Sequence, residues 1–137
     1  MKYVLTDHTA DFGLRIFGDN PAELFSNAAF ALSDLISERD RIAGREMLEI
    51  HAEGEDWPDL MFNWLRELLG LWTGREFLVL EAKVSAISEY KLTAQVKGDF
   101  YDPEKHVIRD EIKAVTYHRL SVDAGEAGWE AGVILDV

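Results

Sequence analysis

The chain has 137 residues, 47% hydrophobic and 11% aromatic, which supplies one globular core and too little length for two independent domains. Its 26 Asp and Glu outnumber 14 Lys and Arg, and the formal charge of -12 at pH 7 repels a phosphate backbone, so no direct nucleic-acid binding is expected. The absence of cysteine excludes disulfides, thiol nucleophiles, zinc thiolate sites and iron–sulfur clusters together.

Residues Met1 to Asp11 lack the basic start and apolar stretch of a secretory leader, and no apolar run reaches the roughly 18 residues of a membrane span. A soluble, cytoplasmic protein with no membrane association is expected. No linker-like or low-complexity segment interrupts the chain and no repeat stands out, so residues 1–137 read as one domain.

Tyr3 to Leu5 and Phe12 to Phe17 read as strands, the second alternating Phe12, Leu14 and Ile16 with Gly13 and Arg15. Asn20 is placed to cap a helix, Pro21 suits its first position, and Glu23 completes a capping box. Leu24, Phe25, Ala28, Leu32, Leu35 and Ile36 then give that helix one apolar face through about Ser37. Arg45 to Ala52 alternates again, with Leu48 and Ile50 inward. A second helix begins at Asp56 or Trp57, presents Leu60, Met61, Trp64, Leu65, Leu68 and Leu69, and has Gly70 available as its stop. Phe77 to Ile87 and Tyr90 to Val96 form a hairpin, and Ile112 to Val122 and Trp129 to Val137 are the last two strands. This order predicts an α+β domain with two helices packed on a mixed, largely antiparallel β-sheet.

Asp11 and Asp136 each adjoin a strongly apolar strand, a setting in which a carboxylate needs a partner. Brought together with a backbone carbonyl or the terminal carboxylate, they would form an all-oxygen set suited to Ca²⁺ or Mg²⁺; read singly, they are a turn aspartate and a solvated terminal one. His8 and Asp11 could pair, although the segment favours extended or turn geometry and a structural histidine. His51, His106 and His118 adjoin no nucleophile-elbow serine, and no phosphate loop or dinucleotide fingerprint is present. Lys113, on the same strand face as Val115 and Tyr117, reads either as a functional lysine or as an exposed ion-pair partner. Trp64 belongs to the core stripe, while Trp57 and Trp72 mark either a partner surface or the edge of that core. The acidic run Glu53 to Asp59 is a solvated loop or an attractor for a basic protein.

Four strings carry a more specific message: Asp7-His8-Thr9-Ala10-Asp11-Phe12-Gly13, Pro21-Ala22-Glu23-Leu24-Phe25, Lys113-Ala114-Val115-Thr116-Tyr117-His118, and Val133-Ile134-Leu135-Asp136-Val137. Together with Gly54-Glu55-Asp56 before Asn63-Trp64-Leu65, they resemble the archease family over essentially the whole chain. The resemblance implies a non-catalytic protein cofactor of the RtcB-type RNA ligase, which joins tRNA exon halves. In that role it promotes guanylylation of the ligase, supports multiple turnover and can broaden the nucleotide accepted. It further implies a divalent metal, calcium first with magnesium or manganese as other candidates, held by Asp11, Asp136 and Val137, with Lys113 near the acidic cluster. Phe12 stands where the family more often has Ile or Val, a packing change that leaves those ligands untouched. On this reading the cluster and Lys113 either deliver a divalent ion to the ligase or organise the surface that docks there. Two other classes are open: a general chaperone or scaffold, indifferent to Asp11, and a metal-dependent hydrolase, for which no clear general base is present.

Overall fold

The computed structural model describes residues 1–6 and 11–137. Its elements are β1 (Tyr3–Thr6), β2 (Asp11–Gly18), α1 (Pro21–Ile36), a 3₁₀ turn at Arg39–Arg41, β3 (Glu46–Glu53), α2 (Trp57–Arg75), β4 (Phe77–Ser88), β5 (Lys91–Phe100), β6 (Ala114–Gly125) and β7 (Gly128–Asp136). The α+β class with two helices is as expected. The strands divide into two sheets, ordered β1-β2-β7-β6 and β3-β5-β4, and every named pair is antiparallel. The division follows from packing: each helix touches strands of both sheets, α1 on β2 and β4 and α2 on β6, β3 and β4. A helix in that position must be apolar on more than one side, and α1 buries Leu24, Phe25, Ala28, Ala29, Ala31, Leu32, Leu35 and Ile36. One core cluster includes residues of both sheets and both helices.

The two helices start identically. Asn20 accepts from Glu23 N–H at 2.9 Å, and the Glu23 carboxylate accepts from Asp19 N–H at 3.0 Å. Asp56 accepts from Asp59 N–H at 2.8 Å, and Asp59 accepts from Glu55 N–H at 2.9 Å. Each start follows a glycine packed on the helix: a Cβ on Gly18 would lie 2.4 Å from Leu24 N, and one on Gly54 would lie 2.5 Å from Leu60 N. Asn27 donates back to Phe17 O at 2.7 Å, and Asn63 to Glu53 O at 2.9 Å.

Gly18 and Gly54, Leu24 and Leu60, and Asn27 and Asn63 are each 36 positions apart, so the chain does contain an internal repeat, one too divergent in its apolar residues to stand out by eye. Each repeat is a strand, a helix and a hairpin, with the last strand inserted between the first two. The order β3-β5-β4 in one sheet matches β2-β7-β6 in the other. The second unit, residues 46–100, is inserted in the chain between α1 and β6 of the first. That insertion is why β2 and β7, neighbours in space as β3 and β5 are, lie far apart in sequence.

Gly70 does not stop α2. Leu71 beyond it is buried and Trp72 packs edge-on against Tyr101 at 5.4 Å, and this burial outweighs the ~1 kcal/mol that an exposed helical glycine costs. The helix ends at Glu76, in the left-handed region at φ 51°, whose N–H reaches Trp72 O at 3.0 Å just before buried Phe77 opens β4.

Candidate functional site

β2 and β7 pair in unbroken register from Asp11 opposite Asp136 to Gly18 opposite Trp129. Directly opposed residues share a sheet face with Cβ atoms about 5 Å apart, so the two aspartates face each other at one end of the sheet. The neighbouring strand supplies the third member. Ala114 pairs with Asp136, and Lys113 N–H donates to Asp136 O at 2.8 Å. Lys113 and Asp136 are exposed, whereas Asp11 and Val137 are half-buried. Lys113 also lines a cleft of about 590 Å³ between the end of α2, at Trp72, Thr73 and Glu76, and the residues Ile108, Glu111 and Ile112.

Two like charges directly opposite one another destabilise a strand pair, so Asp11 and Asp136 favour a cation between or beside them. Their donors are all oxygen, which fits a hard divalent ion. Such an ion takes about six to eight oxygen ligands, more than two carboxylates supply, and the balance would fall to Val137, backbone carbonyls and water. Among the described residues no three His, Cys, Asp or Glu side chains form a metal-holding group. His8, considered as a partner of Asp11, lies outside the described residues.

The remaining candidates have structural work. Trp64 is fully buried and donates its indole N–H to Phe25 O at 2.9 Å. Trp57 packs among Phe25, Tyr90 and Trp129, with ring centroids 5.1–6.0 Å away, so it and Trp72 belong to the core edge. In the acidic run, Asp56 and Asp59 are spent on the helix start, and Asp59 also accepts from the Tyr117 hydroxyl. That bond pushes the phenol up to about 12 and lowers the Asp59 carboxyl. Tyr117 stacks on Phe62 at 3.9 Å, which docks β6 onto α2. His51 bridges Thr93 and Glu49 at the surface, and His118 is exposed.

One buried polar pair escaped the sequence reading. Asp99 accepts from the backbone N–H groups of Ala43, Gly44 and Arg45 at 2.8–2.9 Å and lies 3.0 Å from His106 Nε2. His106 Nδ1 accepts from Asp102 N–H at 2.9 Å, which leaves Nε2 to carry the proton toward Asp99. Burial pushes the Asp99 carboxyl up, but the Arg45 N–H, His106 and the other two backbone donors together outweigh it and hold the pKa at about 2. The three backbone donors are 54 to 56 residues from Asp99 in sequence, and no local pattern signals them. The pair has no free acceptor pointing at a substrate and reads as a clamp on the loop before β3.

The Archease protein family (MTH1598/TM1083) matches residues 3–137 of the chain. The chain belongs to the archease family. Protein archease of Pyrococcus abyssi is 38% identical over 135 residues, covering 96% of this chain and 95% of that protein. Protein archease of Methanosarcina mazei is 34% identical over 140 residues, covering 99% and 96%. Among solved archease-like structures, the solution structure of Methanobacterium thermoautotrophicum protein 1598 superposes with a TM-score of 0.83 at 31% identity, covering 98% of both chains. The crystal structure described as an archease and possible chaperone from Thermotoga maritima superposes at 0.64 over 96% of this chain and 94% of that one. At 23% identity it shares the fold. Among the described residues no helix is long and apolar enough to cross a membrane.

Proposed function

We propose that this archease activates an RtcB-type RNA ligase, promoting its guanylylation and multiple turnover and broadening the nucleotide it accepts, without catalysing a reaction of its own. The reading is supported by family membership and, above all, by one observation: Asp11 and Asp136 stand directly across β2 and β7, with Lys113 bonded to Asp136 through its backbone. Asp11, Asp136 and Val137 are the residues that would hold a divalent cation, calcium first among the candidates. When bound, such an ion supplies a hard Lewis-acid centre at the surface.

The protein's own groups do the rest. The paired β2 and β7 backbones fix the two aspartate Cβ atoms relative to each other, so no backbone ordering is needed when a partner engages them. Lys113, tied to Asp136 through its backbone N–H and exposed at the same end of the sheet, gives a partner a cationic contact next to the acidic pair's strand. A partner state complementary to this arrangement is stabilised by its differential affinity, and that shifts the ligase toward its guanylylation-competent form.

The test is GTP-dependent guanylylation of a cognate ligase with the wild-type protein, Asp11→Ala and Asp11→Asn. The account expects stimulation by the wild type and at least a ~10-fold loss in both variants, since each removes the charge from the pair. Full stimulation by folded Asp11→Asn would replace this reading with the chaperone or scaffold one, which is indifferent to that carboxylate.

A further inference from the structure

The two repeats differ in one respect. In the first, the outer edge of β2 is covered by β1, whose Tyr3 to Thr6 pair with Ile16 to Gly13. In the second, β3 is the edge of its sheet, and among the described residues nothing pairs with it on that side. Shifting the β2 residues by 36 positions makes Glu49 to Ala52 the counterpart of the stretch that β1 covers. A groove of about 880 Å³ lies at that place, lined by Ile50 to Glu53 of β3, by Lys91 to Thr93 of β5 and by residues of α2, Glu67 among them.

The α2 residues in the groove are counterparts of those that receive β1. In the first repeat the Tyr3 ring packs on Phe30 at 6.3 Å, its hydroxyl donates to Asp34, and the Arg39 guanidinium lies 4.1 Å over Phe30. The positions 36 further on from Phe30 and Asp34 are Arg66 and Gly70, and both line the groove, joined there by Arg75 from the last turn of α2. The pocket for an inward side chain thus exists in both repeats, filled by Tyr3 in one and open in the other, where Arg66, Arg75 and Lys91 outnumber Glu53 and Glu67. A Cβ on Gly70 would meet nothing within 4 Å, so the space above it is free.

The edge itself is guarded by charge, at Glu46, Glu49 and Glu53, rather than by a break. β1 is four residues long, β4 carries two register breaks, and β6 has a break between Thr116 and Ser121, where Arg119 takes φ 56°. Short, broken or twisted edges resist strand addition, whereas β3 runs eight residues in continuous register with no proline.

We propose that the free edge of β3 at Glu49–Ala52, together with the groove beside α2, is a docking site for an extended segment of a partner protein, which adds as the strand that this repeat lacks. Charge specifies the segment. Arg66 and Arg75 have no ion-pair partner within 4 Å among the described residues, so the inward side chain opposite Ala52 is acidic, in the place of Tyr3. Glu49 and Glu53 point outward on β3, so the flanking positions opposite them are basic. A second copy of this chain is a poor occupant, because antiparallel β3 pairing would bring Glu46, Glu49 and Glu53 of two chains of charge -12 together. The site is independent of the Asp11–Asp136 end and of the ligase reading.

The register of β1 designs the probe: a blocked peptide of residues 2–6 of this chain carrying Tyr3→Glu and Thr6→Lys. The account expects saturable binding with Kd between about 10 μM and 1 mM, and slowed hydrogen exchange at Glu49–Ala52. It expects at least a ~10-fold weakening in the Arg66→Glu/Arg75→Glu variant, whose substitutions are at exposed positions, and loss of binding when alternate peptide amides are N-methylated. No slowing of exchange at about 1 mM peptide, or binding indifferent to both charge reversal and N-methylation, would overturn the proposal. A concentration-dependent dimer protecting the same residues without peptide would overturn it in favour of self-association.

Discussion

A single carboxylate, Asp99, ties the loop before β3 to the end of β5 and, through His106, to the segment that follows. Its pKa is held at about 2 against an ordinary 3.8, so the stability it contributes is fully present above about pH 4 and disappears as pH falls through about 2. A shift of this size corresponds to roughly 2 kcal/mol. Asp99→Asn is expected to lower unfolding free energy by about 2–3 kcal/mol at pH 7, because three backbone donors and His106 lose a charged acceptor. Urea unfolding of both proteins from about pH 7 down to about pH 2.5 checks the sign: the gap should narrow as Asp99 is protonated, and a pH-independent gap would contradict the assignment. Nothing near Asp99 in sequence marks it as different from the other carboxylates, since its partners are brought in by the fold.

At the scale of elements, the two helix starts make a prediction with opposite signs at two glycines. Gly54→Ala places a Cβ against the backbone of Leu60 and should destabilise by about 3 kcal/mol, whereas Gly70→Ala, in open space within a helix, should stabilise by about 1 kcal/mol. Thermal unfolding of the two variants checks both. Caps, prolines and apolar periodicity made α1, α2, β3 and both hairpins legible in the sequence, because those signals are local. The end of α2 was not, because the burial of Leu71 and Trp72 that carries the helix past Gly70 is tertiary. The separation into two sheets was also hidden: strand patterns report which face is apolar and say nothing of which strands share a sheet. Asp136 could be assigned a face, but its pairing with Asp11 depends on β7 returning to β2 across an inserted unit, and only the family strings anticipated it.

For the whole molecule, the nested arrangement of the two repeats has a functional consequence. The repeat's own strand order sets β2 beside β7, and so places Asp11, Asp136 and Lys113 at one end of a sheet although the inserted unit separates them in sequence. The same duplication leaves the second unit one strand short of the first. The molecule therefore carries two facing aspartates at one end of a sheet and, separately, an open edge. With a net charge of -12 its association with a basic partner surface should slow as salt rises, which stopped-flow binding at two ionic strengths would show. The central claim concerns the acidic end. Its most direct test is multiple-turnover RNA ligation by a cognate RtcB-type ligase, comparing the wild-type protein, Asp136→Ala and the protein without ligase. The account predicts turnover beyond one product per ligase with the wild type, a return toward a single turnover with Asp136→Ala, and no ligation by the protein alone; equal stimulation by wild type and folded Asp136→Ala would contradict it.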